Sequence, residues 1–569
     1  MKNTEIKEKY TKPETIREML AASAAKYGDK TAYKYYSAPD TVSEMSYKQF
    51  FALYNNIGTS LCGLGLQKKK IAIVSESRPE WIVAYTAVIG CGSVVVPLDK
   101  ELMDTQIKAF LEYAGVSAVF CSGKYTERLL AMDVPGLEYI IDFDGRADHE
   151  GTLSFRELAF EGERQLFAGN NSFRNSRYDP SKMCALIFTS GTTGTSKGVM
   201  LSEDNILASM TASANMICYS SNNVLLSVLP MHHTYELCCG QLTALMLGLT
   251  ICINNSLKYF MRNLKLFRPT AMVLVPLFVT TIRKKIEDEI KKKNRTAALN
   301  VGVTATKALK KVGIDIRKLV FSQINAPLGG RLRSIICGGA PIDPQTIEWF
   351  ENIGINISQG YGITECAPLV SVNPLVTVHY DSVGLPIKGS KIKIIDDTAG
   401  IESDMSPRSV GEICVRGPQV MLGYYNAPEE TAAAFTEEGY FRTGDYGFVD
   451  EDGYIYITGR KKNIIVLNNG KNVYPEEIEE YLDRLDIVRE CVVVGREKED
   501  GEVVLTAIIY PDYDAFKGKD DSEIIEAIRA VVATINKKLP IFKQVRNIEL
   551  KKSEFEKTTT KKIIRYKLS

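Results

Sequence analysis

The sequence predicts an α/β protein in which a large N-terminal part holds parallel-type sheets covered by helices, together with a β-rich subdomain, and a small α+β unit follows. Three observations carry this reading. Apolar β-branched runs alternate with helix-like segments over the first two thirds of the chain, the pattern of parallel sheets with helical crossovers. Beyond residue 380 the texture changes to short strands and turns, and after about Lys462 two strands and an amphipathic helix close the chain. With 569 residues and 45% hydrophobic content the chain can bury a large core spread over roughly three or four domain-sized units.

In chain order, IAIVSE (71–76), SVVVPL (93–98), SAVFCS (117–122), TAMVLVP (270–276) and RSIICGG (333–339) read as buried strands. One strongly apolar, uncharged stretch, LCCGQLTALMLGLTICI at 237–253, falls short of the roughly 20 residues a membrane helix needs. It contains Gly240 and Gly248 and ends in a β-branched cluster, so it reads as a buried helix running into a buried strand. SKIKIIDD, GEICVRG and EDGYIYITGR supply the short strands of the β-rich part. ECVVVGRE, EVVLTAIIY and the amphipathic SEIIEAIRAVVATINKKL make up the final unit.

The 70 basic and 69 acidic side chains leave a net charge of +1, so no whole-molecule field points to nucleic acid and any polyanion site must be local. Twelve cysteines without a CxxC pair and four histidines argue against a zinc or disulfide framework. The N-terminus is charged where a signal peptide would be apolar, and a reducing, cytoplasmic location is expected. One local imbalance stands out: from Arg283 to Arg333 fourteen Lys or Arg face four Asp or Glu. The plain reading is a pair of solvated helices; the sharper one is a surface for anionic lipid headgroups or coenzyme phosphates, giving a peripheral membrane-surface contact through 283–333. Oligomeric state is not legible here.

The strongest local signal is ALIFTSGTTGTSKGVML at 185–201, an apolar strand opening into a Gly/Ser/Thr loop that closes on Lys197 and Gly198. Glycines 191, 194 and 198 let the backbone approach an anion, and the hydroxyls and Lys197 donate hydrogen bonds and charge. It is not the P-loop, because Gly198 stands where that loop carries Ser or Thr. ICGGAPI (336–342) and ISQGYGITEC (357–366) each place glycines after a strand, where ligands settle in parallel sheets. There, Tyr361 offers a ring and Glu365 a hard oxygen ligand. YFRTGDYG, beginning at Tyr440, puts Asp445 in what reads as a tight turn able to accept both ribose hydroxyls, with Arg460 fifteen residues on.

Together GTTGTSKG, GYGITE, RTGD and GRKKN, in this order over more than half the chain, closely resemble the acyl-adenylate-forming superfamily of acyl-CoA synthetases, luciferases and peptide-synthetase adenylation domains. GYYNAPEETAAAFTEEGYFRTGD and NNGKNVYPEEIEEYL look most like bacterial long-chain fatty acyl-CoA synthetases, and the likeness covers residues 15–569. It implies the adenylate-forming fold, with an N-terminal AMP- and acid-binding domain at 1–459, a hinge at 460–462 pivoting on Lys462, and a C-terminal lid at 463–569. The implied activity is ATP-dependent, pyrophosphate-releasing activation of a fatty acid, medium to long in chain, to acyl-AMP, then transfer to coenzyme A, with Mg²⁺ as cofactor.

By the same likeness, Thr189, Ser190, Gly191, Thr192, Thr193, Gly194 and Lys197 hold the β- and γ-phosphates, Thr364 the α-phosphate, and Glu365 the magnesium with Thr189 nearby. Adenine lies against Gly339, Gln359, Gly360 and Tyr361, and Asp445 and Arg460 clasp the ribose. His233 falls beside the acid's carboxylate, while His232 is structural. The catalytic lysine of the P-x-T-x-x-G-K pattern corresponds to Lys562, with Glu556 replacing the proline and Lys561 the glycine. Leu237, Leu242 and Met246 suit a hydrocarbon tail and equally suit the core. The competing readings are an aryl-CoA ligase, a ligase loading acyl-AMP onto a carrier protein, and an inactive nucleotide-binding paralogue. Lys197, Glu365, Asp445 and Lys562 together argue against the last.

Overall fold

A computed structural model describes residues 9–145, 150–189, 197–217, 219–375, 378–395, 409–468, 472–498, 502–557, 563–565 and 568. The chain forms two compact units, one from Met1–Lys391 with Arg416–Ala434, the other from Ile392–Val415 with Phe435–Ser569.

Among the described residues the first unit holds two large mixed sheets. In one, Asn356–Gly362, Ser334–Gly338, Ala271–Leu274, Val224–Ser227, Thr250–Ile253 and Thr31–Ala38 run parallel in that spatial order, with antiparallel strands at both edges. In the other, Met183–Thr189, Val94–Pro97, Lys70–Val74, Ala118–Cys121, Tyr139–Asp142 and Thr152–Ser154 run parallel, and Lys197–Ser202 then Gly423–Tyr424 extend one edge antiparallel. All five apolar runs singled out in the sequence are strands here. Ala118–Cys121, Ala271–Leu274 and Ser334–Gly338 are buried along their whole length, which is why those sequences are continuously apolar rather than alternating. Met272, Ile335 and Leu226 from the first sheet pack with Leu264, Ile282 and Phe350 from its covering helices.

The 237–253 run is a buried helix entering a buried strand, with one difference. Its first part, Tyr235–Leu242, is a π-helix, which passes into the α-helix Thr243–Leu247. Gly248 at φ +75° ends that helix in the left-handed region, where a residue without Cβ is favoured, and Thr250–Ile253 follows as strand. No helix among the described residues is long and apolar enough to cross a membrane.

The second unit combines a four-stranded sheet, Lys391–Ile395, Gly411–Arg416, Phe441–Val449 and Ile455–Arg460, with a three-stranded one, Val488–Glu497, Val503–Pro511 and Asn547–Leu550. Helices Pro475–Asp483 and Asp521–Asn536 cover the latter, burying Ile478, Leu482, Ile528 and Val532 against Val493 and Leu505. Asp520 and Glu523 form a reciprocal capping box at the start of Asp521–Asn536, and Ile524, Ile528, Val532 and Ile535 make its buried stripe. The architecture is therefore α/β, with a large N-terminal part of mixed parallel sheets and a small α+β C-terminal part.

Candidate active site

In the first unit, the loop that the sequence marks for phosphates hangs from a hairpin. Thr189 and Lys197 face each other across the antiparallel pair Met183–Thr189 and Lys197–Ser202, and the Thr189 hydroxyl lies 3.5 Å from the Lys197 carbonyl. Ser190, Gly191, Thr192, Thr193 and Gly194 lie outside the described residues. A Cβ on Gly198 would sit 2.9 Å from Leu186 Cδ1, so close packing accounts for that glycine.

A residue absent from the sequence-based site joins this lysine to the carboxylate. Lys197 Nζ stands 4.7 Å from the centre of the Tyr424 ring, and the Tyr424 hydroxyl donates to Glu365 Oε1 at 3.0 Å. The strand Gly423–Tyr424 is pinned by antiparallel pairing to Lys197–Ser202 and by the Met421 N–H donating to the Glu365 carbonyl at 2.8 Å. Burial and the Glu365 carboxylate raise the Tyr424 pKa, so the phenol keeps its proton and remains a donor at neutral pH. Lys197, Tyr424 and Glu365 thus form one row. The only sequence signal for Tyr424 is the GYYN run, which by itself looks like an ordinary surface turn.

Gly338 and Gly360 are register partners at the C-terminal ends of adjacent parallel strands, and Gly339 follows at φ +85°. Thr364–Cys366 forms a single 3₁₀ turn directly beyond, so Thr364 and Glu365 project from the same strand end. Gln359 and Tyr361 are buried, and Gln359 Oε1 is a buried acceptor with no hydrogen-bond partner among the described residues. A narrow, mostly apolar cleft opens beside these glycines, walled by Ile217, Tyr235, Cys239, Ile336, Leu369 and Val372. Leu237 and Leu242 do not line it; they are core residues, and within the π-helix it is Tyr235 and Cys239 that face the cleft.

His232 and His233 sit just before that helix with ring centres 4.1 Å apart. His232 Nε2 is 3.6 Å from Asp99, and burial, with Lys100 nearby, pushes its pKa down to about 3, which makes it a neutral, internal residue. The His233 carbonyl accepts from the Leu237 N–H at 3.0 Å, tying it to the helix start.

In the second unit Asp445 and Arg460 are cross-strand partners, with Arg460 Nε 2.8 Å from Asp445 Oδ1. Asp445 is not in a tight turn. It lies within the strand Phe441–Val449, where Gly444 at φ +69° and register shifts on both sides bend the ladder so that the sequence resembles a turn. Buried Glu412 organises this corner, accepting from Arg442 at 3.1 Å, from Lys461 at 3.2 Å and from the Gly444 N–H at 3.2 Å. Lys462 occupies the middle of a one-turn 3₁₀ helix, Lys461–Asn463, and burial with the charges of Arg460 and Arg565 lowers its pKa. Lys562 lies outside the described residues; the segment containing it is flanked by an antiparallel bridge between Lys557 and Ile563.

Parallel strands ending in a glycine shelf, a hydroxyl- and lysine-bearing hairpin and one carboxylate define a nucleotide-handling α/β protein. Residues 20–425 match the AMP-binding enzyme family and residues 462–569 its C-terminal domain, and the chain belongs to that family. It is 29% identical over 546 residues to fatty acyl-CoA synthetase A of Dictyostelium discoideum, covering 93% of this chain and 79% of the relative. It is 27% identical to a chloroplastic long-chain-fatty-acid–acyl-carrier-protein ligase of Arabidopsis thaliana, over 91% of this chain and 79% of that one. ATP-bound MatB from Rhodopseudomonas palustris has the same fold, with a TM-score of 0.76 at 24% identity over 97% and 98% of the two chains.

Proposed function

We propose that this chain activates a fatty acid of medium to long chain with ATP and transfers the acyl group to coenzyme A. The observation that carries the reading is the juxtaposition of the Lys197–Tyr424–Glu365 row, the glycine shelf and an apolar cleft in one unit. Two of the relatives described above are named for fatty acids and differ in the thiol that receives the acyl group, which supports the acid more strongly than the acceptor.

In the first half-reaction a carboxylate oxygen bonds to the α-phosphorus of ATP, the bond from that phosphorus to the bridging oxygen breaks, and pyrophosphate leaves with acyl-AMP remaining. Two anions about 4 Å apart repel by roughly 4 kcal/mol at an effective dielectric of about 20. Thr189, Ser190, Gly191, Thr192, Thr193, Gly194 and Lys197 would offset charge on the β- and γ-phosphates, Thr364 would donate to the α-phosphate, and Lys562 would stabilise the transition state. A single carboxylate suits Mg²⁺, which is usually held by one or two carboxylates and substrate phosphates, and Glu365 with Thr189 nearby would hold it. When bound, the metal supplies charge neutralisation across the phosphates. The partnerless Gln359 Oε1 fits an exocyclic amine of adenine, stacked against Tyr361 above Gly339 and Gly360. Asp445 and Arg460 would bind the ribose, and His233 would sit beside the acid carboxylate.

In the second half-reaction the thiolate attacks the acyl carbon and AMP leaves. The thiol needs the space Lys562 used, so residues 463–569 would act as a lid turning about a hinge at 460–462. A cytoplasmic location belongs to the same reading. The test is a pyrophosphate-release screen from acetate to oleate with several aryl acids, followed by thiol transfer to coenzyme A or to a carrier-protein pantetheine. A maximum at medium or long chains with transfer to coenzyme A is expected. A flat profile, or preference for aryl acids, overturns the fatty-acid assignment, and transfer to carrier protein alone moves the chain to the second reading.

A further inference from the structure

The turn Lys461–Asn463 joins two firmly built pieces of the second unit. Before it stands the four-stranded sheet, in which Gly411–Arg416 pairs with Phe441–Val449, and that strand with Ile455–Arg460. After it comes the helix Pro475–Asp483, whose Ile478 and Leu482 are buried against Val493 and Leu505 of the three-stranded sheet. The turn is closed by a single 3₁₀ bond, in which the Ile464 N–H donates to the Lys461 carbonyl at 3.3 Å. A carboxylate holds each end of it, and the two carboxylates come from different pieces.

Glu412, only 2% exposed, belongs to the sheet. Its Oε1 accepts from the Gly444 N–H beside Asp445, while its Oε2 accepts from Arg442 and, at 3.2 Å, from Lys461 Nζ. A buried carboxylate ringed by such donors is held in place, because charge-assisted hydrogen bonds are strong and an uncompensated buried charge is costly. Glu476 belongs to the first turn of the helix, and its Oε1 accepts from Asn463 Nδ2 at 2.6 Å. Lys462, between the two fastened residues, makes no side-chain hydrogen bond or ion pair among the described residues.

We infer that Glu412 and Glu476 are positioning residues that confine the pivot to Lys462. Glu412 fastens Lys461 to the sheet, Glu476 fastens Asn463 to the piece that follows, and the backbone torsions of Lys462 are left to turn. A hinge absorbs a large change in φ and ψ over few residues, and it does so at one residue only where its neighbours do not yield. Were either end loose, rotation would spread over neighbouring torsions and the moving piece would lack a defined stopping place, which reacting groups held to near-attack geometry cannot tolerate. Through its two oxygens Glu412 also ties the pivot and the bend at Gly444–Asp445 to one anchor. The inference rests on the proposed turning of residues 463–569, and its test separates the two.

Lys461→Met and Asn463→Ala each release one end while leaving buried Glu412 with Arg442 and Gly444, and thermal scans check that both variants fold. Hydrogen exchange at the Ile464 amide, read by mass spectrometry on the full chain, should accelerate by about tenfold in either variant, the worth of one hydrogen bond to a charged group. The second arm uses Lys462→Pro, which stiffens the pivot. With one end released, in Lys461→Met/Lys462→Pro, rotation passes to adjacent torsions, and acyl-CoA formation should recover by about fivefold or more over Lys462→Pro alone. Losses that simply multiply, or exchange at Ile464 no faster than in the parent, overturn the inference and leave the turning lid in place. Acyl-CoA formation by Lys462→Pro at the parent rate overturns the lid itself, and the inference with it. Exchange in the single variants decides the matter if the double variant does not fold.

Discussion

Tyr424 illustrates how one side chain can couple two parts of a site. Its ring lies under Lys197 and its hydroxyl donates to Glu365, so removing the oxygen alone separates the two contacts. Tyr424→Phe should raise the Mg²⁺ concentration for half-maximal pyrophosphate release by about tenfold, the worth of one hydrogen bond to a charged acceptor, without changing KM for the acid. Mn²⁺ binding followed by electron paramagnetic resonance should weaken in parallel. Unchanged metal demand would reduce Tyr424 to a packing residue. Lys562 is proposed to act in the first half-reaction only. Lys562→Ala should slow acyl-AMP formation by about 10²-fold to 10³-fold and leave thioester formation from supplied acyl-AMP near its original rate. Equal loss of both steps would remove it from that role.

At the scale of elements, the short turn Lys461–Asn463 is the proposed pivot, and proline at its centre fixes φ and removes a backbone donor. Lys462→Pro should therefore spare adenylation in a pyrophosphate assay and depress acyl-CoA formation by about tenfold or more. Parallel losses would argue against a turning lid. The elements themselves are largely legible, because parallel strands buried on both faces must be written as unbroken apolar runs and the amphipathic spacing of Ile524, Ile528, Val532 and Ile535 marks a helix. The hairpin that flanks the proposed phosphate loop is legible for a similar reason: an apolar strand opening into a Gly/Ser/Thr run that closes on Lys197 marks a return of the chain, and Met183–Thr189 pairs antiparallel with Lys197–Ser202. What escaped depends on chain crossings that local sequence does not encode. Tyr424 reaches Glu365 only because its strand pairs with Lys197–Ser202 from more than 200 residues away. Asp445 looked like a turn residue because Gly444 bends a strand from within. Of the two roles open to Leu237 and Leu242, hydrocarbon contact or core, the structure shows core, because the wider turn of a π-helix, not apparent from composition, sets Tyr235 and Cys239 toward the cleft.

Across the molecule, stability carries a pH signature. Glu236 is fully buried, accepts from Ser227 at 2.6 Å and from Gln241 at 2.9 Å, and its pKa is raised by burial to about 7. The folded state therefore holds this proton more tightly than the unfolded chain, whose carboxyl titrates near 4.5. The stabilisation is complete below that lower value and is lost as pH rises through about 7, a change on the order of 3 kcal/mol from this group. Glu236→Gln, which has no proton to lose, should melt near the parent temperature at pH 4 and above it at pH 8 in paired thermal scans. An offset independent of pH would assign the difference to packing. A last consequence lies in the route of the backbone, which leaves the first unit after Lys391, returns for Arg416–Ala434 and departs again. That excursion makes the polypeptide hard to halve: a fragment stopped near residue 391 would lack Gly423–Tyr424, leaving Lys197–Ser202 a bare sheet margin prone to sticking and Glu365 without its phenolic partner. Anyone seeking the larger half alone would have to stitch the returning nineteen residues back in, since no single cut separates the two.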